Sequence, residues 1–144
     1  MAIKLRPASL DDADLLLAWR NDLQTRLSSH NTREIGREEH LAWLAETVSN
    51  PSRLLMVAEE GGVPVGTVRA DREDGVYELS WTVSPDARGR GVGKRMVALF
   101  ASQISGPVRA EVKPGNTASI RIMEYAGLQF DREENGVLHY RRGA

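Results

Sequence analysis

The sequence predicts a single α/β (α+β) domain in which a mixed, mostly antiparallel central sheet is flanked by helices. Three observations predict it. The 144 residues suit one domain. Gly61-Gly62, Asp74-Gly75 and Asn135-Gly136 each separate two strand-like runs, the mark of tight hairpins. Segments with helical spacing alternate with these runs in the order β-α-α-β-β-β-α-β-α-β-β. No repeat or linker-like stretch interrupts that order, so residues 1–144 are read as one domain.

Residues 3–6 form a short strand stopped by Pro7. Ser9, with Asp12 three positions on, makes a capping box for a helix over 10–20 that buries Ala13, Leu16, Leu17 and Trp19. Residues 21–36 are polar and without a clean period, a mobile or partly helical connection. A second helix covers 37–48, with Leu41, Leu44 and Val48 inward, and ends at Asn50-Pro51. Strands follow at 53–60, 63–72 and 76–84. The last alternates Tyr77, Leu79, Trp81 and Val83 on a core face with Glu78, Ser80 and Thr82 on a polar one. A glycine-rich turn opens a long helix whose apolar stripe is Val92, Met96, Leu99, Phe100 and Ile104, closed by Gly106-Pro107. Residues 108–113 are a strand. Residues 117–126 are a helix capped by Asn116 and ended by Gly127, and 128–134 with 137–141 make the final hairpin.

Composition excludes several classes. There is no cysteine, hence no disulfide, thiol nucleophile or thiolate metal site. The three histidines are far apart, without carboxylates at ligand spacing, so no metal is expected. Nineteen basic against 20 acidic residues, a formal charge of −1, argue against a sequence-independent grip on nucleic acid. No 18-residue apolar run suggests a membrane span. The opening MAIKLRPASLDD lacks the apolar core of a signal peptide, so a cytoplasmic home is expected.

The informative segment runs from Ser84 through Arg88-Gly89-Arg90-Gly91-Val92-Gly93-Lys94 into a helix. Glycines let the backbone turn with its N–H groups aimed at one spot, the helix start adds partial positive charge, and Arg88, Arg90 and Lys94 add full charges. This describes a phosphate or pyrophosphate cradle. It is not a Walker A loop, because Gly89 to Gly93 is one residue short and Lys94 is followed by Arg95. Nor is it a dinucleotide fingerprint, because it follows three antiparallel-looking strands rather than opening an early βαβ unit.

With that loop, and with Asn116-Thr117-Ala118-Ser119-Ile120 leading through a helix to Ala126-Gly127-Leu128, the chain resembles the GNAT acetyltransferase superfamily over essentially its whole length. The resemblance implies acetyl-CoA as cofactor. Its pyrophosphate would lie on Arg88, Gly89, Arg90, Gly91, Gly93 and Lys94, with Asn116 in the second coenzyme element and the Val83 amide at the acetyl carbonyl. It further implies transfer to a small-molecule amine acceptor by a monomer or homodimer. Ala18-Trp19-Arg20-Asn21, Arg26, Ile35, Glu38-Glu39-His40 and Trp43-Leu44 resemble a subgroup acting on amino-sugar nucleotides, typified by an enzyme of pseudaminic acid synthesis. The Asn-Thr-Ala-Ser-Ile-Arg element also resembles enzymes that acetylate ribosomal-protein N-termini.

Acetyl transfer to an ammonium needs a proton acceptor. Glu78, on the polar face of its strand, is the first candidate. Glu111, where the amino-sugar relatives carry a glutamate, is the second, and it shares a strand face with Arg109 and Lys113. Arg20, Asn21, Arg26 and His40 are the candidate acceptor contacts, Arg20 and Arg26 suiting a diphosphate. The usual family tyrosine, seven residues after the asparagine, is here Met123, which donates no proton; Tyr125 points some 200° away around the helix. That departure leaves a non-catalytic acyl-CoA-binding module as the alternative outside the enzyme class. A protein N-terminus or an antibiotic-like amine are the alternative acceptors.

Overall fold

The computed structural model describes residues 2–143. The first strand, β1 (Ile3–Pro7), pairs antiparallel with β2 (Arg53–Glu60), which pairs with β3 (Val63–Glu73), which pairs with β4 (Val76–Val83). Beyond β4 the sheet continues through β5 (Val108–Val112), β7 (Val137–Arg142) and β6 (Gln129–Glu134), giving the order β1-β2-β3-β4-β5-β7-β6. Among the described residues only β4 and β5 run parallel. The three hairpin dipeptides act as read from sequence. Gly61, Gly62, Asp74, Gly75, Asn135 and Gly136 all have positive φ, the geometry of two-residue turns whose twist matches the strands.

The predicted first helix divides. Leu10–Asp12 is a 3-10 turn because the Asp12 carboxylate reaches back to the Ser9 N–H (2.9 Å) and takes two bonds from the Arg6 guanidinium (2.9 and 2.8 Å). Arg6 in turn holds the Asp12 carboxyl below the usual carboxylate range. The α-helix proper, α1, is Ala13–Asn21; it buries Ala13, Leu16 and Trp19, while Leu17 is only partly covered. The polar connection contains a short helix, α2 (Leu23–Ser28), capped by Asp22, whose carboxylate accepts from the Thr25 N–H at 3.1 Å.

Helix α3 (Arg37–Ser49) is rotated from its sequence reading. Its buried face is His40, Leu44 and Thr47, whereas Val48 is exposed. Polar residues go inward here because each has a partner: Thr47 Oγ1 accepts from Arg53 (3.3 Å), and both ring nitrogens of His40 are engaged. Helix α4 (Val92–Ser102) buries Val92, Met96, Val97, Phe100 and Ala101, with Leu99 left half-covered and Ile104 buried just beyond the helix. Helix α5 (Thr117–Tyr125) packs beside it.

Two cores sandwich the sheet. One joins β3, β4 and β5 to α4 and α5; the other joins Leu55 and Val57 of β2 to Leu16, Trp19 and Leu44 of α1 and α3. Gly66 lets α4 approach β3. A Cβ there would stand 2.7 Å from both the Met96 sulfur and the Thr82 carbonyl oxygen. Among the described residues no helix is long and apolar enough to cross a membrane.

Candidate active site

The parallel junction between β4 and β5 is short, joining only Tyr77 to Val108 and Glu78 to Arg109. Past that point the strands splay, and the opening is a cavity of about 850 Å³ that meets α1, α2, α3, α4 and α5. The splayed edge of β4 is polar backbone. Ser84 donates to the Val65 oxygen (2.8 Å) and Tyr77, on the other side, to the Pro107 oxygen (3.1 Å). Antiparallel strands alternate which side their N–H groups face. With the β3–β4 register fixed, the amides of Trp81 and Val83 therefore turn toward the side that β5 has left. Val83 lines the cavity, as do Glu78, Leu79 and Trp81.

The glycine loop closes one end. Gly89 (φ +80°) and Gly91 (φ +71°) hold left-handed backbone, with nothing within 4 Å of where a Cβ would stand. Gly91 is the N-cap of α4, and among the described residues no side chain caps this helix. The first N–H groups of α4 thus have neither an intrahelical nor a side-chain acceptor, which suits them to an anion. Gly93 is small for a different reason: a Cβ would sit 2.6 Å from Ile122 Cδ1 and 3.3 Å from Val83 Cγ2, so it sets the approach of α4 to α5 and β4. Asn116 caps α5 by accepting from the Ser119 N–H (3.2 Å) and lines the cavity.

The cations of the loop are largely occupied. Arg88 lines the cavity but pairs with Asp22 and donates to Thr25 Oγ1 (3.2 Å), tying the loop to α2 and lowering the Asp22 carboxyl below its usual range. Arg90 turns out of the cavity to Glu60 (3.2 Å), which also receives Arg95 (2.7 Å). Lys94 lies on the cavity wall, 5.8 Å from the centre of the Tyr125 ring. Of the groups the sequence offers to an anion, the backbone N–H groups at the start of α4 and Lys94 are the ones left facing the cavity.

On the acceptor side, Arg20 reaches the cavity. Its guanidinium stacks on Trp43 (4.7 Å to the ring centre) and donates to His40 Nδ1 (3.2 Å). The other three predicted contacts are scaffold instead. His40 is 0 % exposed. Its Nε2–H donates to the Ala13 carbonyl (3.0 Å), which fixes Nδ1 as an acceptor, and burial together with Arg20 pushes its pKa down. Asn21 clasps the Ile35 backbone from both ends of its amide (2.9 and 2.8 Å), and Arg26 bonds the Asn21 and Thr32 carbonyls (3.2 and 3.4 Å). Both side chains are spent closing the loop on which they stand.

Glu78 and Glu111 both line the cavity. Glu78 is held by Arg109 (3.4 Å). Glu111 lies between two imidazoles, His30 Nε2 at 3.2 Å and His139 Nδ1 at 3.6 Å. Its strand-face neighbours go elsewhere: Arg109 to Glu78, and Lys113 to the Leu27 carbonyl at 3.0 Å. Arg88, Lys113 and the His30–Glu111 pair therefore strap the segment around α2 across the splayed strands. Met123 is 0 % exposed in the core and Tyr125 is 62 % exposed to solvent, so neither supplies a cavity proton donor. Sequence reading missed Arg69, whose guanidinium lies 5.4 Å from the Trp43 ring, and the pairing of His30 with Glu111. The even alternation of β3 could have turned Arg69 to the polar face; nothing local announces a contact between residues 81 positions apart.

A family model described as an acetyltransferase (GNAT) domain matches residues 2–129. Among solved structures, a ribosomal-protein-alanine N-acetyltransferase from Brucella melitensis is similar at 24 % identity and TM-score 0.82, covering 98 % of this chain and 99 % of that one. The yncA protein of Salmonella typhimurium, solved with its cofactor acetyl-CoA, has 20 % identity, TM-score 0.79 and coverages of 99 % and 94 %. The enzyme AAC(6')-Ib with ribostamycin and coenzyme A has 17 % identity, TM-score 0.82 and coverages of 99 % and 94 %. At these identities the likenesses establish the fold. No curated protein matches the chain significantly.

Proposed function

The chain belongs to the GNAT acetyltransferase family, an acetyl-CoA-dependent class of enzymes, and we propose that it acetylates the primary amine of an amino sugar, free or nucleotide-linked. The observation that carries the coenzyme side is the splay of β4 from β5, with an uncapped, glycine-lined helix start at its end. The cradle fits a pyrophosphate: the space a side chain would fill at Gly89 and Gly91 is open. Backbone N–H groups from Gly89 to Lys94, with the Lys94 ammonium, would hold it, and the free edge of β4 suits an extended amide-bearing arm. When bound, acetyl-CoA supplies the activated acetyl thioester.

The residues of this chain do the rest. The Val83 N–H, facing the side that β5 has left, would donate to an acetyl carbonyl oxygen as negative charge grows there, and a fixed donor of this kind needs no reorganisation during reaction. The amine must lose a proton before it attacks. Glu111 is the carboxylate best placed to take it, because His30, which lines the cavity beside it at 3.2 Å and is exposed, offers an imidazole that can pass the proton to solvent. Glu78 is the alternative, but its carboxylate is already engaged by Arg109. With Met123 in the core, that position offers no proton to a thiol leaving group, so water or a cavity hydroxyl would have to supply it.

The acceptor wall supports a hydrated substrate. Gln24, Thr25, Ser28, Ser29 and Asn31 offer hydroxyls and amides, which suit the many oxygens of a sugar. The test is a panel of free and nucleotide-linked amino sugars, N-terminal peptides, aminoglycosides and polyamines at fixed acetyl-CoA, followed by thiol release. The reading expects the highest kcat/KM on an amino sugar. Peptides or aminoglycosides used at least as well would overturn the acceptor assignment.

A further inference from the structure

We propose that Arg20 and Arg69, ranged on Trp43 in the acceptor part of the cavity, form a subsite for an anionic group of the acceptor, a phosphate or carboxylate carried on the same molecule as the amine. This rests on reading the cavity as an amine-acceptor site, and it goes further by requiring the acceptor to be zwitterionic.

Two guanidiniums share one indole. Arg20 lies 4.7 Å and Arg69 5.4 Å from the Trp43 ring centre, and all three residues line the cavity. Like charges brought this close oppose each other, and their countercharge is incomplete. Arg20 bonds His40 Nδ1 (3.2 Å), which burial and Arg20 itself keep neutral. Among the described residues no carboxylate is within ion-pair distance of Arg20. Glu39, the acidic group that acts on it from further away, is held in two bonds by Arg33 (2.9 and 2.7 Å). Among the described residues Arg69 has only Asp71 (3.2 Å), which also faces Arg53 (3.8 Å), and the buried Arg69 Nε lacks a well-formed hydrogen bond there.

A part-buried guanidinium without a carboxylate is costly, and burial together with Arg69 lowers the Arg20 pKa accordingly. Packing alone would be satisfied by an apolar chain over Trp43. What the pair adds is two planar forks of donors against one ring, a donor set that suits phosphate or carboxylate oxygens.

Position fits an acceptor group rather than the coenzyme. Arg69 stands across from Ser80, and Gly66 across from Val83. Three residues of strand separate them, on the order of 10 Å at about 3.3 Å per residue. The anion is thus held away from the reacting amine by a spacer, and the phosphate cradle lies beyond Val83 in the other direction along the chain. A polycationic acceptor would meet like charge here.

Calorimetry on the protein saturated with coenzyme A tests this with three probes: glucosamine, glucosamine 6-phosphate and 2-amino-2-deoxyglucuronic acid, the last two carrying their anion at the far end of the ring from the amine. The anionic sugars should bind more tightly than glucosamine, and whichever anion the subsite prefers should lead. Arg69→Gln should weaken the preferred anionic sugar about 10–100-fold, the worth of a charged hydrogen bond, while leaving glucosamine within about 2-fold. Arg20→Gln would also strip His40 of a partner, so Arg20→Lys is the second variant, keeping the charge but losing the fork and the stacking; a smaller, same-direction loss is expected. Thermal melts check that each variant is folded. Equal affinity for all three sugars, or an Arg69→Gln effect that is equal on charged and uncharged sugars, overturns the subsite. Anion-selective binding without acetyl transfer would uphold the subsite and remove the amine-acceptor reading.

Discussion

Replacing Gly91 by valine probes the coenzyme cradle with a matched control. Gly91 has φ +71° and Gly136 has φ +75°, and at both a Cβ would find open space. Valine at either should cost about 1–2 kcal/mol of left-handed strain, which a melt will read as a similar fall in stability. The two differ in what surrounds them. Gly91 caps α4 at the end of the splayed strands, whereas Gly136 turns the β6–β7 hairpin. A side chain at Gly91 stands where the pyrophosphate would approach. Losing two charged hydrogen bonds at about 1.5–3 kcal/mol each would total about 3–6 kcal/mol. That corresponds to a Kd raised by about 10²–10⁴-fold. Titration calorimetry with acetyl-CoA on folded Gly91→Val and Gly136→Val proteins reads the difference. Unchanged affinity in Gly91→Val, or an equal loss in Gly136→Val, would refute the cradle.

Three further outcomes follow from named contacts. Glu111→Gln should lower kcat by about 10²–10⁴-fold with little change in coenzyme affinity, and Glu78→Gln should cost less; the reverse order, read from steady-state rates, would give the role to Glu78. Gly66→Ala sets a Cβ against the Thr82 carbonyl oxygen, which cannot rotate away, so it should destabilise by about 1–3 kcal/mol, and an unchanged melting temperature would contradict the close packing of α4 on β3. Arg6 holds the folded-state Asp12 carboxyl below its unfolded value, so the pair's stabilisation is complete above the ordinary carboxylate range and is lost as pH falls through the depressed folded value. Urea midpoints between neutral pH and pH ~3 should therefore fall more steeply for the wild type than for Asp12→Asn; parallel curves would deny the pair that role.

What could be read from the sequence was local. The hairpins follow from dipeptides whose residues tolerate positive φ, and the candidate cradle follows from glycines at alternate positions, Gly89, Gly91 and Gly93, at a helix start. The inward face of α3 differs from the one the sequence predicts because hydrophobicity favours Val48 over Thr47, while the fold favours the residue whose hydroxyl can meet Arg53. The same blindness affected the acceptor side. Asn21 and Arg26 look available in a polar loop, yet their partners are carbonyls and amides of that same loop, and a buried histidine bridging α1 and α3 has no sequence mark. Sequence spacing offers Arg88 and Arg90 to an anion, but Asp22 and Glu60, distant in the chain, pair with them. Arg69 and the His30–Glu111 pair were invisible for the converse reason: each becomes a site feature only when strands and loops far apart in sequence meet at the splay.

The most direct test of acetyl transfer is mass spectrometry of glucosamine 6-phosphate incubated with acetyl-CoA and the protein, alongside the Glu111→Gln, Glu78→Gln double variant. A sugar that gains one acetyl group on nitrogen, with stoichiometric release of free thiol and loss of both in the double variant, is the predicted result. Tight acetyl-CoA binding with no acetylated amine, on this sugar or any member of the acceptor panel, would contradict the enzyme reading and leave a domain that binds the coenzyme without turning it over.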